Sequence, residues 1–202
     1  MKPTLEERRL DALREVANVG AGRAASALSV LLGGKRMGMD IPRALKVGAE
    51  GLADLLGGPQ TPVVAAFLEM TGALNGQLMV VWTLSDASHL SSFLLRQVLK
   101  RAEHSELEAS ALEETANIVA SACMSAVGQL SGLSLLPSTP TLKRGTASEM
   151  SLLAMKSAGA TPARPENWVL EARLFSDSLS NQLLLVADEA STTALLEKLG
   201  VG

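Results

Sequence analysis

Tyrosine is absent from this 202-residue chain, and its aromatics are confined to Phe67, Phe93, Phe175, Trp82 and Trp168. Five scattered rings cannot build the base-stacking platform that single-stranded nucleic acid requires. Basic charge is also short: 18 Lys plus Arg stand against 21 Asp plus Glu, a net charge of −3. Nucleic-acid partners call for a concentrated Lys/Arg field and are excluded on that ground. Cysteine occurs once, at Cys123, so no intramolecular disulfide can form and a reducing, cytoplasmic setting is expected. The opening stretch, with Glu6, Glu7, Arg8 and Arg9, lacks the apolar centre of a secretory signal. No apolar run approaches the ~20 residues that cross a bilayer, so membrane insertion is not expected. His89 and His104 are isolated, and with one cysteine no metal-ligand spacing can be assembled. Gly20-x-Gly22 lacks the third glycine of a dinucleotide turn, and no Gly-x-Ser-x-Gly elbow occurs.

What is present is an ordinary globular composition, 47% apolar and 19% charged. A chain of this length can bury roughly 70% of its unfolded surface, enough for a core without metal or disulfide. Thr4 followed by Glu6 and Glu7 marks a helix start, and helical periodicity then runs to Leu32, where Gly33-Gly34 stops it. Leu10, Leu13, Val16, Ala17, Gly20, Ala24, Ala27, Leu28 and Leu31 share one stripe. Asp11, Glu15, Asn18 and Gly22 form the opposite ridge. A second periodic segment runs from near Ser105 to Gly132. Its expected buried stripe is Ala109, Leu112, Ala116, Val119, Cys123, Ala126, Val127 and Leu130, opposite Ser110, Glu114, Asn117 and Ser121.

The two helices are one pattern written twice. Adding 99 carries Glu15 to Glu114, Asn18 to Asn117 and Gly33 to Gly132, and ten of 23 positions match between 11–33 and 110–132. Strand patterns follow each copy: a short one near Met37 to Ile41, then a helix near Leu52 to Leu56. Strands at Val63–Met70 and Gln77–Thr83 come next, joined by a type I′ turn at Asn75-Gly76. Ser85 is expected to cap a helix running to about Leu99. In the second copy an extended stretch lies near Leu133 to Leu142. A hairpin at Trp168–Phe175 and Gln182–Ala187 precedes a helix over Asp188–Leu199. Gly145 to Asn167 reads as the loosest stretch. The expectation is an α/β (α+β type) single domain over 1–202, with pseudo-twofold halves at about 5–100 and 104–200 and two long helices on a mainly antiparallel sheet. A monomer is expected, the halves shielding each other's sheet.

A carboxylate and a carboxamide three residues apart on a helix stand side by side. The first can pair with a partner's cation; the second both donates and accepts, and can hold and orient a water. One Glu-x-x-Asn is usually solvated surface. Twice is harder to dismiss, because Asn mid-helix costs several tenths of a kcal/mol relative to Ala and the core requires neither copy.

Asp11-x₃-Glu15-x₂-Asn18 and Ser110-x₃-Glu114-x₂-Asn117, followed by Pro42 and Pro140, resemble the signature of the CheC/CheX/FliY family of CheY-phosphate phosphatases. The second proline has 22 intervening residues and the first one more. Two copies resemble CheC more than the single-site CheX. The resemblance implies hydrolysis of the aspartyl phosphate of a CheY-type response regulator in chemotaxis. By that resemblance Asn18 and Asn117 orient the attacking water, Glu15 and Glu114 pair with the regulator's lysine, and Asp11, Gly22, Ser110 and Ser121 edge the contact. No cofactor of its own is implied; Mg²⁺ belongs to the receiver domain. The alternative is a non-catalytic adaptor that binds CheY-phosphate or the receptor deamidase CheD.

Overall fold

The computed structural model describes residues 3–98 and 104–202 of the chain. Its framework is two long helices, α1 (Leu5–Leu31) and, in the second half, α4 (His104–Ser131). Thr4 caps α1 reciprocally: its Oγ1 accepts from Glu7 N at 3.2 Å, and its own N donates to Glu7 Oε2 at 2.7 Å. Both helices end in the same way. Gly33 (φ 72°) and Gly132 (φ 70°) take the left-handed conformation that side chains avoid. Gly34 N then donates to Ser29 O, and Leu133 N to Gly128 O, which satisfies carbonyls of the last turn.

After α1 come β1 (Gly38–Met39), β2 (Arg43–Val47), α2 (Ala49–Leu55), β3 (Pro62–Gly72), β4 (Gly76–Thr83) and α3 (Leu84–Val98). After α4 come β5 (Leu135–Pro137), β6 (Thr141–Thr146), α5 (Ala147–Ser157), β7 (Asn167–Ser176), β8 (Leu179–Ala187) and α6 (Glu189–Lys198). The second series repeats the order of the first. The strands form one eight-stranded antiparallel sheet with β4 and β8 side by side at its centre, Gly76 opposite Ala187 and Val81 opposite Gln182. Short strands cross between series: β1 and β2 pair with β7, while β5 and β6 pair with β3.

Both faces of the sheet are covered, which explains why its central strands are almost continuously apolar. Along β3, Val64, Ala66 and Leu68 face a core shared with α1, α4, α3 and α6. The alternate residues Val63, Ala65 and Phe67 face a second core under α2 and α5. Among the described residues the fold is thus a mixed α/β domain of six helices around a single sheet.

Several expectations are corrected by tertiary contacts. The β3–β4 turn is not a type I′ turn at Asn75-Gly76, since among the described residues none other than glycine has positive φ and Gly76 does not either. Pairing of Gly72 with Leu135 holds β3 extended past Met70, and Ser191 Oγ anchors Asn75 N at 3.0 Å. Gly76 serves close approach instead, because a Cβ there would lie 2.5 Å from the Val186 carbonyl. Thr83, not Ser85, caps α3, its Oγ1 accepting from Asp86 N at 3.0 Å. Leu99 lies outside the described residues, as does the His104 side chain. The stretch expected to be loosest contains α5, which is capped by Thr146 and Glu149 and buries Ala147, Met150, Ala154 and Met155. Leu130, assigned to a buried stripe, is exposed, and Ala21, Ala25, Ala120 and Met124 join the core instead.

The capping carboxylates carry a pH signature. Backbone N–H donation from Thr4 and Thr146, followed by hydrogen bonds from their hydroxyls, holds the Glu7 and Glu149 carboxyls below their ordinary value; Thr146→Ala removes the hydroxyl's share at Glu149. The folded pKa lies below the unfolded one, so their contribution is complete above the ordinary carboxylate range and disappears as pH falls through the lowered value. Thr146→Ala is expected to cost about 1 kcal/mol at neutral pH. Thermal melts will show the gap to the parent narrowing below about pH 4.

A second test lies across β2 and β7. Arg43 Nε donates to Glu171 Oε2 at 2.6 Å, and Gln182 Nε2 reaches Glu171 Oε1 at 3.2 Å. The Glu171 side chain is 5% exposed and Arg43 52%. Arg43→Met strands a buried carboxylate, which in a fully buried pair costs 3–5 kcal/mol; half-exposure of the arginine reduces this to about 2 kcal/mol. Denaturant titration should find that Glu171→Gln in the Arg43→Met background restores most of the loss.

Candidate active site

α1 and α4 meet through small residues. Gly20 packs directly against α4, where an added Cβ would be 2.8 Å from Cys123 Sγ and 3.2 Å from Val127 Cγ2. Ala17, Ala21 and Ala24 on α1, with Ala116 and Ala120 on α4, keep the rest of the crossing narrow. Burial pushes the Cys123 thiol up to about 12, so it is neutral packing material at physiological pH.

With inward faces committed to each other and to the sheet, the opposite ridges point away from the core. Asp11, Glu15 and Asn18 are exposed on α1, with Gly22 half-buried. Ser110, Glu114 and Ser121 are exposed on α4, and Asn117 is half-buried. The chain therefore brings each Glu to within one helical turn of its Asn on an outer face, once per long helix.

Hydrogen bonding leaves these groups available. Side-chain bonds on α1 include Arg14 Nη1 to Asp11 Oδ1 (3.3 Å) and Ser26 Oγ to Gly22 O (2.9 Å). On α4 they include Thr115 Oγ1 to Ala111 O (2.8 Å) and Leu142 N to Glu113 Oε1 (3.4 Å). Among the described residues, the side chains of Glu15, Asn18, Glu114 and Asn117 make no hydrogen bond. Such a pair can accept a cation and hold a water without first breaking an internal contact.

The ridges differ in their neighbours. Arg14 pairs with Asp11 beside the first, whereas the corresponding position in the second is Ser110. Glu113, beside Glu114 in sequence, turns instead toward β6, just past Pro140. Neither Arg14 nor Glu113 belongs to the repeated Glu-x-x-Asn pattern. The i,i+3 charge spacing announces the first, but only the folded position of β6 reveals the second. Among the described residues no group of three or more His, Cys, Asp or Glu side chains could hold a metal, and no helix is long and apolar enough to cross a membrane.

No family model matches the chain. It is 33% identical over 139 residues to the Bacillus subtilis (strain 168) protein named CheY-P phosphatase CheC, across 67% of this chain and 66% of that protein. The chain belongs to the CheC/CheX/FliY family. Members of this family include CheY-P phosphatases. The fold agrees: Thermotoga maritima FliY superposes with a TM-score of 0.72 at 17% identity, covering 99% of this chain and 98% of that one. The structure of a Borrelia burgdorferi CheX–CheY–BeF3–Mg²⁺ complex also matches, with a TM-score of 0.57 and 17% identity over 87% of this chain and 97% of its counterpart. The matched part of the CheC relative is a little under two thirds of its length.

Proposed function

We propose that this chain is a CheY-P phosphatase that acts in trans on a receiver domain. The observation that carries this reading is the repeated Glu/Asn pair on the outer faces of two packed helices, its side chains without hydrogen-bond partners among the described residues. An aspartyl phosphate surrounded by its own Mg²⁺ and lysine needs little covalent help. What is missing is a water held in line with the phosphorus. Asn18 and Asn117 supply it: the carboxamide oxygen accepts a water proton while the NH₂ group contacts the phosphoryl region. Glu15 and Glu114 hold the docked receiver by pairing with its lysine. Asp11, Gly22, Ser110 and Ser121 lie around those pairs and edge the contact. The chain brings no metal of its own; Mg²⁺ arrives on the regulator.

The repeated element order supports reading 5–100 and 104–200 as two halves of one domain, each contributing one ridge, in a monomer working in the cytoplasm. The test is phosphate release from phosphorylated CheY in Mg²⁺ with and without the chain. Acceleration at substoichiometric amounts supports the phosphatase. Saturable binding without faster release overturns it in favour of an adaptor for CheY-phosphate or CheD.

A further inference from the structure

At the far end of α1, away from the Asn ridges, a cavity of about 320 Å³ opens between that helix terminus, α3 and the β7–β8 turn. Its floor is apolar: Leu32, Leu90 and Leu179 are buried, and Phe93 is half-buried beside them. Its rim carries the cations Lys35 and Arg96, with His89 beside them, and all three are exposed. Lys35 Nζ already rests 4.2 Å from the centre of the Phe93 ring. Ser92, Ser176 and Ser178 add hydroxyls. A second cleft of about 520 Å³ shares Lys35, Ser176 and Ser178 with it and adds Arg36 and Asp177.

Two features set this pocket apart from ordinary charged surface. The chain as a whole is net acidic at −3, yet among the described residues the main cavity has no acidic side chain in its lining. The pocket is also not a by-product of the duplicated scaffold. Positions 99 residues beyond Lys35 and Arg36 are Ser134 and Leu135, which carry no charge. A floor that accepts a flat apolar body and a rim that accepts negative charge describe one ligand chemistry, and the volume suits a small molecule.

We propose that this pocket is a second binding site, for a small organic anion whose flat apolar body lies on Leu90 and Phe93 and whose phosphate or carboxylate is met by Lys35 and Arg96. Neither cavity is lined by a residue of the Glu/Asn ridges, so the site stands whether or not the chain is a phosphatase.

Calorimetric titration of the full chain with phenyl phosphate, benzoate, inorganic phosphate and benzyl alcohol tests it. Phenyl phosphate or benzoate should saturate a single site at least about tenfold more tightly than either inorganic phosphate or benzyl alcohol, since only the first two use both floor and rim. Comparing the two identifies the anionic group. Lys35→Glu and Arg96→Glu, both on the surface, should each weaken binding by about tenfold or more while thermal melts stay unchanged. Equal affinity for all four probes, or binding unaltered in both variants, overturns the proposal.

Discussion

Replacing both Asn18 and Asn117 with alanine is expected to slow release of phosphate from phosphorylated CheY by about 10²-fold, the scale of losing a positioned water, or about 3 kcal/mol of barrier. The same change should leave folding intact or slightly improved. Asn18 is exposed, Asn117 half-buried, and among the described residues neither amide has a hydrogen-bond partner. Alanine moreover recovers several tenths of a kcal/mol of helix propensity at each position. Activity and stability therefore move in opposite directions, which separates a functional carboxamide from a structural one. Two independent ridges make a further demand: the accelerations left in the Asn18→Ala and Asn117→Ala single variants should sum to that of the parent. Stopped-flow or phosphate-sensor measurements at several regulator concentrations will show the glutamates acting differently. Glu15→Ala with Glu114→Ala should raise the half-saturating concentration more than it lowers the limiting rate, because docking is shared by the ground and transition states. A double Asn variant that keeps the parental rate would remove the carboxamides from the mechanism.

The ridges were legible because they depend on local rules alone. A 3.6-residue period places Glu15 and Asn18 opposite Val16 and Gly20 whatever the sheet does, and glycines at 33 and 132 close both helices by backbone conformation. The hairpins read well for a similar reason, since their partners are near in sequence. What escaped was set by distant contacts. Asn75-Gly76 has the composition of a two-residue turn, but β5 and Ser191 hold the surrounding chain in another path. The crossings of β2 to β7 and β6 to β3 join residues 74 to 128 positions apart, and no periodicity announces such partners. Helix α5 is a different case. Thr146-x-x-Glu149 is a capping box ahead of Met150, Leu152 and Leu153, so the signal for this helix is present in the sequence although the stretch reads as loose. Half-burial of Asn117 likewise depends on what packs around α4, which the helical period does not specify.

Gly20→Val should be among the most damaging single changes in the α1–α4 layer. The first added carbon would lie 2.8 Å from Cys123 Sγ and 3.2 Å from Val127 Cγ2. Neither neighbour is the free end of a long side chain, so the helices themselves must separate. Overpacking of this kind costs about 2 to 3 kcal/mol, which at this chain length lowers the melting temperature by roughly 4 to 12 °C. The separation also reorients the two ridges, so phosphatase activity should fall although no ridge residue has changed. Cys123 reports the opening directly: buried and neutral, it should resist alkylation in the parent and react faster in the variant. A double-mutant cycle assigns the cause. Gly20→Ala should destabilise less in a Cys123→Ala background than in the parent, because removal of Sγ vacates the space that the new methyl enters. Equal losses in the two backgrounds would show that the crossing tolerates the carbon and that α1 and α4 are not held at this distance by Gly20.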